Sequence, residues 1–125
     1  MSEVIPRVLI ADDHARVRQA LRMLLELDGE IQVVGEAANG LEAVEKAAEL
    51  QPDILLLDLV MPVMDGVQAG TIIAQRFPQI RIIILTSSVE HDLDDTMRRT
   101  HARRVLLKNA PPSDFTQVIL NLMDT

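Results

Sequence analysis

The sequence predicts an α/β domain, an open, doubly wound, five-stranded parallel sheet with five helices on its two faces. Three observations predict it. Short apolar runs alternate with segments of helical period along the whole chain. Four of the five runs are continuously apolar, as strands are when both faces of a parallel sheet are covered. The length, 125 residues, suits one compact domain with one core, so residues 1–125 are read as a single unit.

Val8, Leu9, Ile10 and Ala11 make the first apolar run, and the segment after it sets Val17, Ala20, Leu21, Leu24 and Leu25 on one face of a helix. Residues 31–36 form a second strand rich in β-branched side chains. Asn39 with Glu42 opens the next helix, which carries Leu41, Val44, Ala47 and Ala48 and should stop at Gln51, because Pro52 disfavours helical backbone in the residue before it. Residues 54–57 are a wholly apolar strand. A third helix follows Gly66 and ends near Phe77, ahead of Pro78, and residues 80–85 are the fourth strand. Ser87 and Glu90 read as a capping box for a fourth helix with Val89, Leu93 and Met97 inward. Residues 105–107 are the fifth strand, and Pro111 and Pro112 introduce a last helix through Leu122. Right-handed crossovers then give a sheet wound on both sides.

Composition narrows the function. Two phenylalanines are the only aromatics, so the core must be aliphatic and methionine-rich. The absence of cysteine removes disulfides, thiolate metal sites and cysteine nucleophiles, and with it comes the expectation of a cytoplasmic protein. No run approaches the length of a membrane span, and the first residues lack the pattern of a secretory signal. A formal net charge of -7 argues against nucleic-acid binding by this domain itself, since that affinity rests on Lys and Arg contacts to phosphate.

The residues just beyond the apolar strands carry the chemistry. Asp12 and Asp13 come directly after the first, Asp58 after the third, Thr86 and Ser87 after the fourth, and Lys108 after the fifth. In a parallel sheet these positions share the carboxyl edge, where open α/β sheets place their ligands, and in the strand order 2-1-3-4-5 the first and third strands are neighbours. Three converging carboxylates repel one another and call for protons or a cation. A hard divalent ion such as Mg2+ suits carboxylate and carbonyl oxygens. Lys108 adds an ammonium opposite, with the Thr86 hydroxyl as a third contact for a phosphoryl group. Asp58, alone at the end of a central strand, is the candidate nucleophile for an acyl phosphate, and the adjacent Asp12 and Asp13 are better suited to share the metal.

The stretches VLIADDHARVRQAL, DILLLDLVMPVMDG, ILTSS and VLLK together resemble the receiver domains of two-component response regulators, a flavodoxin-like fold, over the whole chain. Asp-Asp-His ahead of an amphipathic helix is most similar to the subfamily joined to a C-terminal helix-turn-helix DNA-binding domain. The resemblance implies a signalling switch, not a conventional turnover enzyme. In it Asp58 accepts phosphate from a sensor histidine kinase or phosphotransfer protein. Asp12, Asp13, Asp58 and the backbone carbonyl of Val60 hold Mg2+, Asp12 partly through water, while Thr86 and Lys108 bind phosphoryl oxygens. Val60 and Ser88 resemble the variable positions that tune dephosphorylation. Docking of the kinase near Arg18 and Arg22, and a homodimer through the last helices, are further options.

The chain departs from the family pattern at three places. Val105 stands where an aromatic is usual, His101 and Arg104 stand where glycine is common, and Lys108 is followed by Asn109 and Ala110 where proline is frequent. The basic run Arg98, Arg99, His101, Arg103, Arg104 is then expected to report the switch.

Simpler readings compete. Asp13 taken alone is a helix N-cap, and Ser87 is a cap as readily as a functional group. Lys108 alone would be a solvated lysine, the basic run a solvated helix end, and Met61, Met64 and Met97 packing residues. His14, His91 and His101 show no ligand spacing. Among rival functions, a flavin or nucleotide binder would carry glycine or hydroxyl residues after the first strand, where two aspartates would repel phosphate. An aspartate-nucleophile phosphatase would carry Asp-x-Asp there. The stronger alternative is a receiver-like interaction module that works without phosphorylation.

Overall fold

The computed structural model describes residues 4–87 and 92–124. Five strands alternate with five helices: β1 (Arg7–Ala11), α1 (Ala15–Glu26), β2 (Gln32–Ala37), α2 (Gly40–Leu50), β3 (Ile54–Asp58), α3 (Gly66–Arg76), β4 (Arg81–Thr86), α4 (Leu93–Thr100), β5 (Arg104–Leu107) and α5 (Pro112–Met123). The strands form one sheet in the order β2-β1-β3-β4-β5, with every neighbouring pair parallel. No helix among the described residues is long and apolar enough to cross a membrane.

The period of two along each strand divides the core into two layers. Val8 and Ile10 of β1, Ile54 and Leu56 of β3, and Ile83 and Leu85 of β4 pack with Leu21 and Leu25 of α1 and Phe115, Ile119 and Leu122 of α5. The alternate residues, Leu9, Leu55, Leu57, Ile82 and Ile84, pack with Ala43, Val44 and Ala47 of α2 and Ala69 and Ile73 of α3. The central strand β3 is buried along its full length, which is why its sequence is continuously apolar up to Asp58. Each such side chain contributes roughly 1.5–3 kcal/mol on leaving water.

Local signals act as the sequence suggests at most element ends. Asn39 Oδ1 accepts from the Glu42 amide at 2.9 Å, capping α2, and Glu42 Oε1 reaches back one residue past the N-cap to accept from the Ala38 amide at 2.9 Å, a variant of the capping box. The helix ends at Leu50, where Gln51 takes a left-handed backbone, φ 48°, ahead of Pro52. Met61 is buried beneath the β3–α3 loop, as a packing residue should be.

Three expectations need correction. The fourth helix starts later than a Ser87–Glu90 box implies: α4 begins at Leu93, and Asp92 is its cap, accepting from the Asp95 amide at 3.1 Å. Ser88, Val89, Glu90 and His91 lie outside the described residues. On α1, Ala20 and Leu24 are exposed while Leu21 and Leu25 are buried, because the helix meets the sheet along a stripe narrower than its apolar face. On α2, Ala43 replaces Leu41 and Ala48 in the buried face for the same reason.

The loop after β3 is held by two close backbone approaches. The Gly66 amide donates to the Leu59 carbonyl at 2.8 Å and the Gly40 amide donates to the Met64 carbonyl at 2.9 Å. A Cβ on Gly66 would stand 2.0 Å from the Asp58 carbonyl oxygen, and one on Gly40 would stand 2.1 Å from the Met64 oxygen. Both obstacles are backbone, which cannot rotate aside. Gly66→Ala is therefore expected to destabilise the domain by about 3 kcal/mol, on the scale of overpacked core sites. The measurement is a urea transition with a lower midpoint and an unchanged slope. A midpoint equal to that of the parent would show that the loop yields without cost.

Candidate functional site

Strand register decides which side chains meet. Ala11 pairs with Leu57, Asp58 with Leu85, and Thr86 with Leu107, so at the carboxyl edge Asp12 continues level with Asp58, while Thr86 lies one residue and Lys108 two residues farther out. Asp12, Asp58 and Lys108 continue the parity of Ile10, Leu56 and Leu106, the residues packed toward α1 and α5, and Thr86 continues that of Ile84 on the other layer.

The outcome is a three-way ion contact. Lys108 Nζ lies 2.8 Å from Asp12 Oδ2 and 3.1 Å from Asp58 Oδ2. Asp12 is fully buried and Asp58 is 4% exposed. Among the described residues these two Oδ2 atoms receive no hydrogen bond of good geometry, which leaves the Lys108 ammonium as their shared compensation. The backbone fixes Lys108 in turn, since its amide donates to the Thr86 carbonyl at 2.9 Å. Lys108 is thus no solvated surface lysine; its side chain is 15% exposed.

Charge balance follows from this geometry. Burial raises the Asp58 carboxyl above its ordinary range and the neighbouring Asp12 charge raises it further, while Lys108 and the Val60 amide, 3.3 Å from Oδ1, oppose the rise without cancelling it. For Lys108 burial acts downward, but the Asp12 and Asp58 carboxylates outweigh it and hold the ammonium above its ordinary value.

Asp13 does not cap α1. The N-cap position is His14, which makes no side-chain cap bond. Asp12 Oδ1 takes the loop amide of His14 at 2.8 Å, and the Asp12 carbonyl accepts from Arg18 Nη1 at 2.6 Å. That leaves the Asp13 carboxylate, 30% exposed, facing the cluster. One ligand atom from each of Asp12, Asp13, His14 and Asp58 can be chosen so that the four lie within 4.8 Å of one another. One ammonium against three carboxylates leaves an excess of negative charge, and buried acidic oxygens share a single cation. This donor set fits a hard divalent ion.

A cleft of about 250 Å³ opens over these groups, lined by Asp13, His14, Asp58, Val60, Thr86 and Lys108 among others. It suits an ion with a small anion better than a flavin or nucleotide. Thr86 is buried at the strand end, and Ser87 beside it is exposed. A larger cleft of about 470 Å³ lies at the opposite end of β4, against Ile80, Ile82, Thr100 and His101, and its lining contains no carboxylate.

Spacing along the chain does not disclose two features. His14 has no partner cluster by spacing alone, yet its Nδ1 lies 3.0 Å from Asp13 Oδ1 and 3.2 Å from Asp12 Oδ1. Arg18 and Arg22, read as a docking surface, both bind Glu36, at 3.1 and 2.8 Å. They tie α1 to β2, with Arg18 also holding the Asp12 carbonyl, and no local pattern links residues so far apart in sequence. His101 is exposed and takes a left-handed backbone, φ 56°, at the end of α4, which accounts for glycine being common at such a position. The neighbouring basic run is a helix end in part, with Arg98 and Arg99 both within ion-pair reach of Asp95.

Comparison with known proteins agrees with this architecture. The transcriptional regulatory protein YhcZ of Bacillus subtilis is 40% identical over 111 residues, which cover 89% of this chain and 52% of YhcZ. The response regulator VraR of Staphylococcus aureus is 49% identical over 84 residues, covering 67% of this chain and 40% of VraR. The chain thus spans about half or less of the length of these curated relatives. A LuxR-family two-component response regulator from Aurantimonas has a solved structure similar to this fold, with TM-score 0.88 and 30% identity, covering 97% of this chain and 86% of that one. Residues 8–120 match the response regulator receiver domain family, and the chain belongs to that family of two-component signalling proteins.

Proposed function

We propose that this receiver domain is a phosphorylation switch in which Asp58 accepts a phosphoryl group from a phosphohistidine of a sensor kinase or phosphotransfer protein. The observation that carries this reading is the convergence of the Asp12 and Asp58 oxygens on Lys108 Nζ beside Asp13. In the reaction an Asp58 carboxylate oxygen forms a bond to phosphorus as the phosphorus–nitrogen bond breaks. The electron pair leaves with the donor imidazole, which takes up a proton. Lys108 balances charge that moves onto the phosphoryl oxygens, and the Thr86 hydroxyl is their further contact. Asp13, Asp58 and, by family resemblance, the Val60 carbonyl would hold Mg2+, with Asp12 partly through water, and the ion when bound would neutralise carboxylate and phosphoryl charge.

The whole of residues 1–125 acts as one receiver unit in this reading, in the cytoplasm. Its output is transcriptional, through a DNA-binding region outside these residues, a view supported by the likeness to YhcZ and to a LuxR-family regulator.

Three outcomes are expected. Incubation with Mg2+ and acetyl phosphate should give a single phosphoryl adduct by intact-mass spectrometry, lost in Asp58→Ala and without Mg2+; an adduct that survives Asp58→Ala would reject this acceptor. If no adduct forms under any condition, the phosphorylation-independent module is the better reading.

The second outcome concerns pH. A carboxyl raised above its unfolded value of 3.8 favours the folded state below that pH, and this contribution is lost as pH rises through the folded pKa. In chelator the Asp58→Asn variant should be the more stable protein at neutral pH, by on the order of 1 kcal/mol or roughly 4 °C in Tm. The gap should close toward pH 4, and Mg2+ should raise Tm of the parent more than that of the variant. A variant less stable at neutral pH would contradict the balance of charge described above.

The third concerns the output face. Moving a switch from 1:99 to 99:1 requires about 5.5 kcal/mol of differential stabilisation. With Val105 half-buried in β5 where an aromatic is usual, the basic run is assigned the reporting role. Phosphorylation should shift amide resonances of residues 98–105, and Thr86→Ala should keep the Asp58 adduct while losing those shifts. Shifts confined to the surroundings of Asp58 in the parent would refute the assignment.

A further inference from the structure

Arg18 reaches the edge of the acidic site without entering it. Its Nη1 donates to the Asp12 carbonyl at 2.6 Å, its Nε donates to Glu36 Oε1 at 3.1 Å, and the side chain is largely withdrawn from solvent. On the other side of the same Cα, the Asp12 amide donates to the Ala37 carbonyl at 3.0 Å. A peptide unit is planar, so bonds to the units before and after one Cα fix both backbone torsions of that residue. The end of β2 holds Asp12 in this way: the Ala37 carbonyl accepts from its amide, and Glu36, one residue back, holds the guanidinium that donates to its carbonyl. Those two torsions and one rotamer direct the buried Asp12 carboxylate, whose Oδ2 lies 2.8 Å from Lys108 Nζ.

Glu36 is itself tied down on three sides. Oε1 accepts from Arg18, Oε2 accepts from Arg22 at 2.8 Å, and its backbone carbonyl accepts from the Lys46 ammonium. A planar guanidinium carries its donors in a fixed fork, so Nε on Glu36 settles where Nη1 points, which a lysine ammonium would not. Among the described residues the Arg22 side chain hydrogen-bonds to Glu36 alone. The two arginines thus share one carboxylate, and only Arg18 passes the contact on to Asp12.

We propose that Arg18, oriented by Glu36, is a positioning residue for the phosphorylation site: it fixes the peptide after Asp12 and so aims the Asp12 carboxylate at Lys108 and at the cation. The proposal rests on the phosphorylation reading above and deepens it. Residues behind metal ligands act by orienting them, and a carboxylate that has lost its backbone restraint meets the ion and the ammonium in fewer of its conformations. This role differs from a docking surface for a kinase, because its effect needs no protein donor. It also differs from a plain structural tie, because Arg22 makes the same tie to Glu36 without reaching Asp12.

The experiment compares the full chain with Arg18→Met and Arg22→Met, which keep an apolar stem, with Glu36→Met, and with the variant carrying both Arg18→Met and Glu36→Met. Mg2+ affinity is read from amide shifts. Adduct formation at limiting Mg2+ is read by intact mass with acetyl phosphate, a donor too small to need docking. Expected in Arg18→Met is a loss of about tenfold in Mg2+ affinity and adduct rate, against a change within about twofold in Arg22→Met, which loses only a partly exposed ion pair. Glu36→Met should show a loss close to that of Arg18→Met, and the double variant should lose no more than Arg18→Met alone. In chelator the amide resonances of Asp58 and Lys108, neither of which Arg18 hydrogen-bonds, should move in Arg18→Met and stay in place in Arg22→Met. Should Arg18→Met fail to fold, Arg18→Gln takes its place with the same expectation. Unchanged Mg2+ affinity in Arg18→Met, equal losses in Arg18→Met and Arg22→Met, or additive losses in the double variant would each overturn the proposal. A parent chain that binds no Mg2+ and forms no adduct would instead strike at the phosphorylation reading, and the resonances in chelator would still decide the role of Arg18.

Discussion

Two carboxylates and one ammonium, buried together at the carboxyl edge of the sheet, are the constraint around which the rest of this domain is arranged. Lys108 Nζ reaches Asp12 at 2.8 Å and Asp58 at 3.1 Å, and neither acid has comparable access to water. Burying an ion costs several kcal/mol, and breaking a buried pair leaves a charge with no compensation. The contact persists because three strands converge there and apolar packing holds them in register on both faces of the sheet. Stability in the hydrophobic layers thereby holds the acids in a state that burial itself disfavours.

That state is sensitive to charge. Asp58 is raised by burial and by Asp12 and restrained by Lys108, so the charge around it is unbalanced by construction. A cation or a change in charge at Asp58 redistributes the field felt by Asp12, Asp13 and Lys108 together. The loops that carry these residues are pinned by backbone contacts: the Gly66 and Gly40 amides after β3, Arg18 on the Asp12 carbonyl, and the Lys108 amide on Thr86. The site is therefore tied down at its base by backbone contacts, while its mouth, with Val60 65% exposed and His14 67% exposed, faces solvent.

Much of this was legible in order along the chain. The continuous apolar runs of β1, β3 and β4 identify buried parallel strands because a strand covered on both faces has no polar alternation to show. Asp12, Asp58 and Thr86 stand out because each directly follows such a run, whereas Lys108 follows the short edge strand β5, of which only Leu106 is buried. The helices were less legible at their edges. Leu24 and Leu41 match a helical period yet lie exposed, since periodicity records which residues are apolar and not how wide a stripe the neighbouring layer covers. The start of α4 was misplaced because Ser87 and Asp92 both carry a side chain able to cap a helix.

Hydrophobic period and the residue types beside each strand were enough for the strand and helix alternation, the buried strands β1, β3 and β4 and the set of residues at the carboxyl edge, while the apolar run of β5 did not disclose that this strand is half exposed at the sheet's edge. Only the tertiary structure decided that Lys108 bridges Asp12 and Asp58, that Arg18 and Arg22 serve Glu36, and that His14 joins the acidic cluster. These contacts join residues separated by a strand register or a crossover, or turned toward each other by the bend of one loop. Such distances are set by how the layers pack in three dimensions, and nothing in linear spacing encodes them.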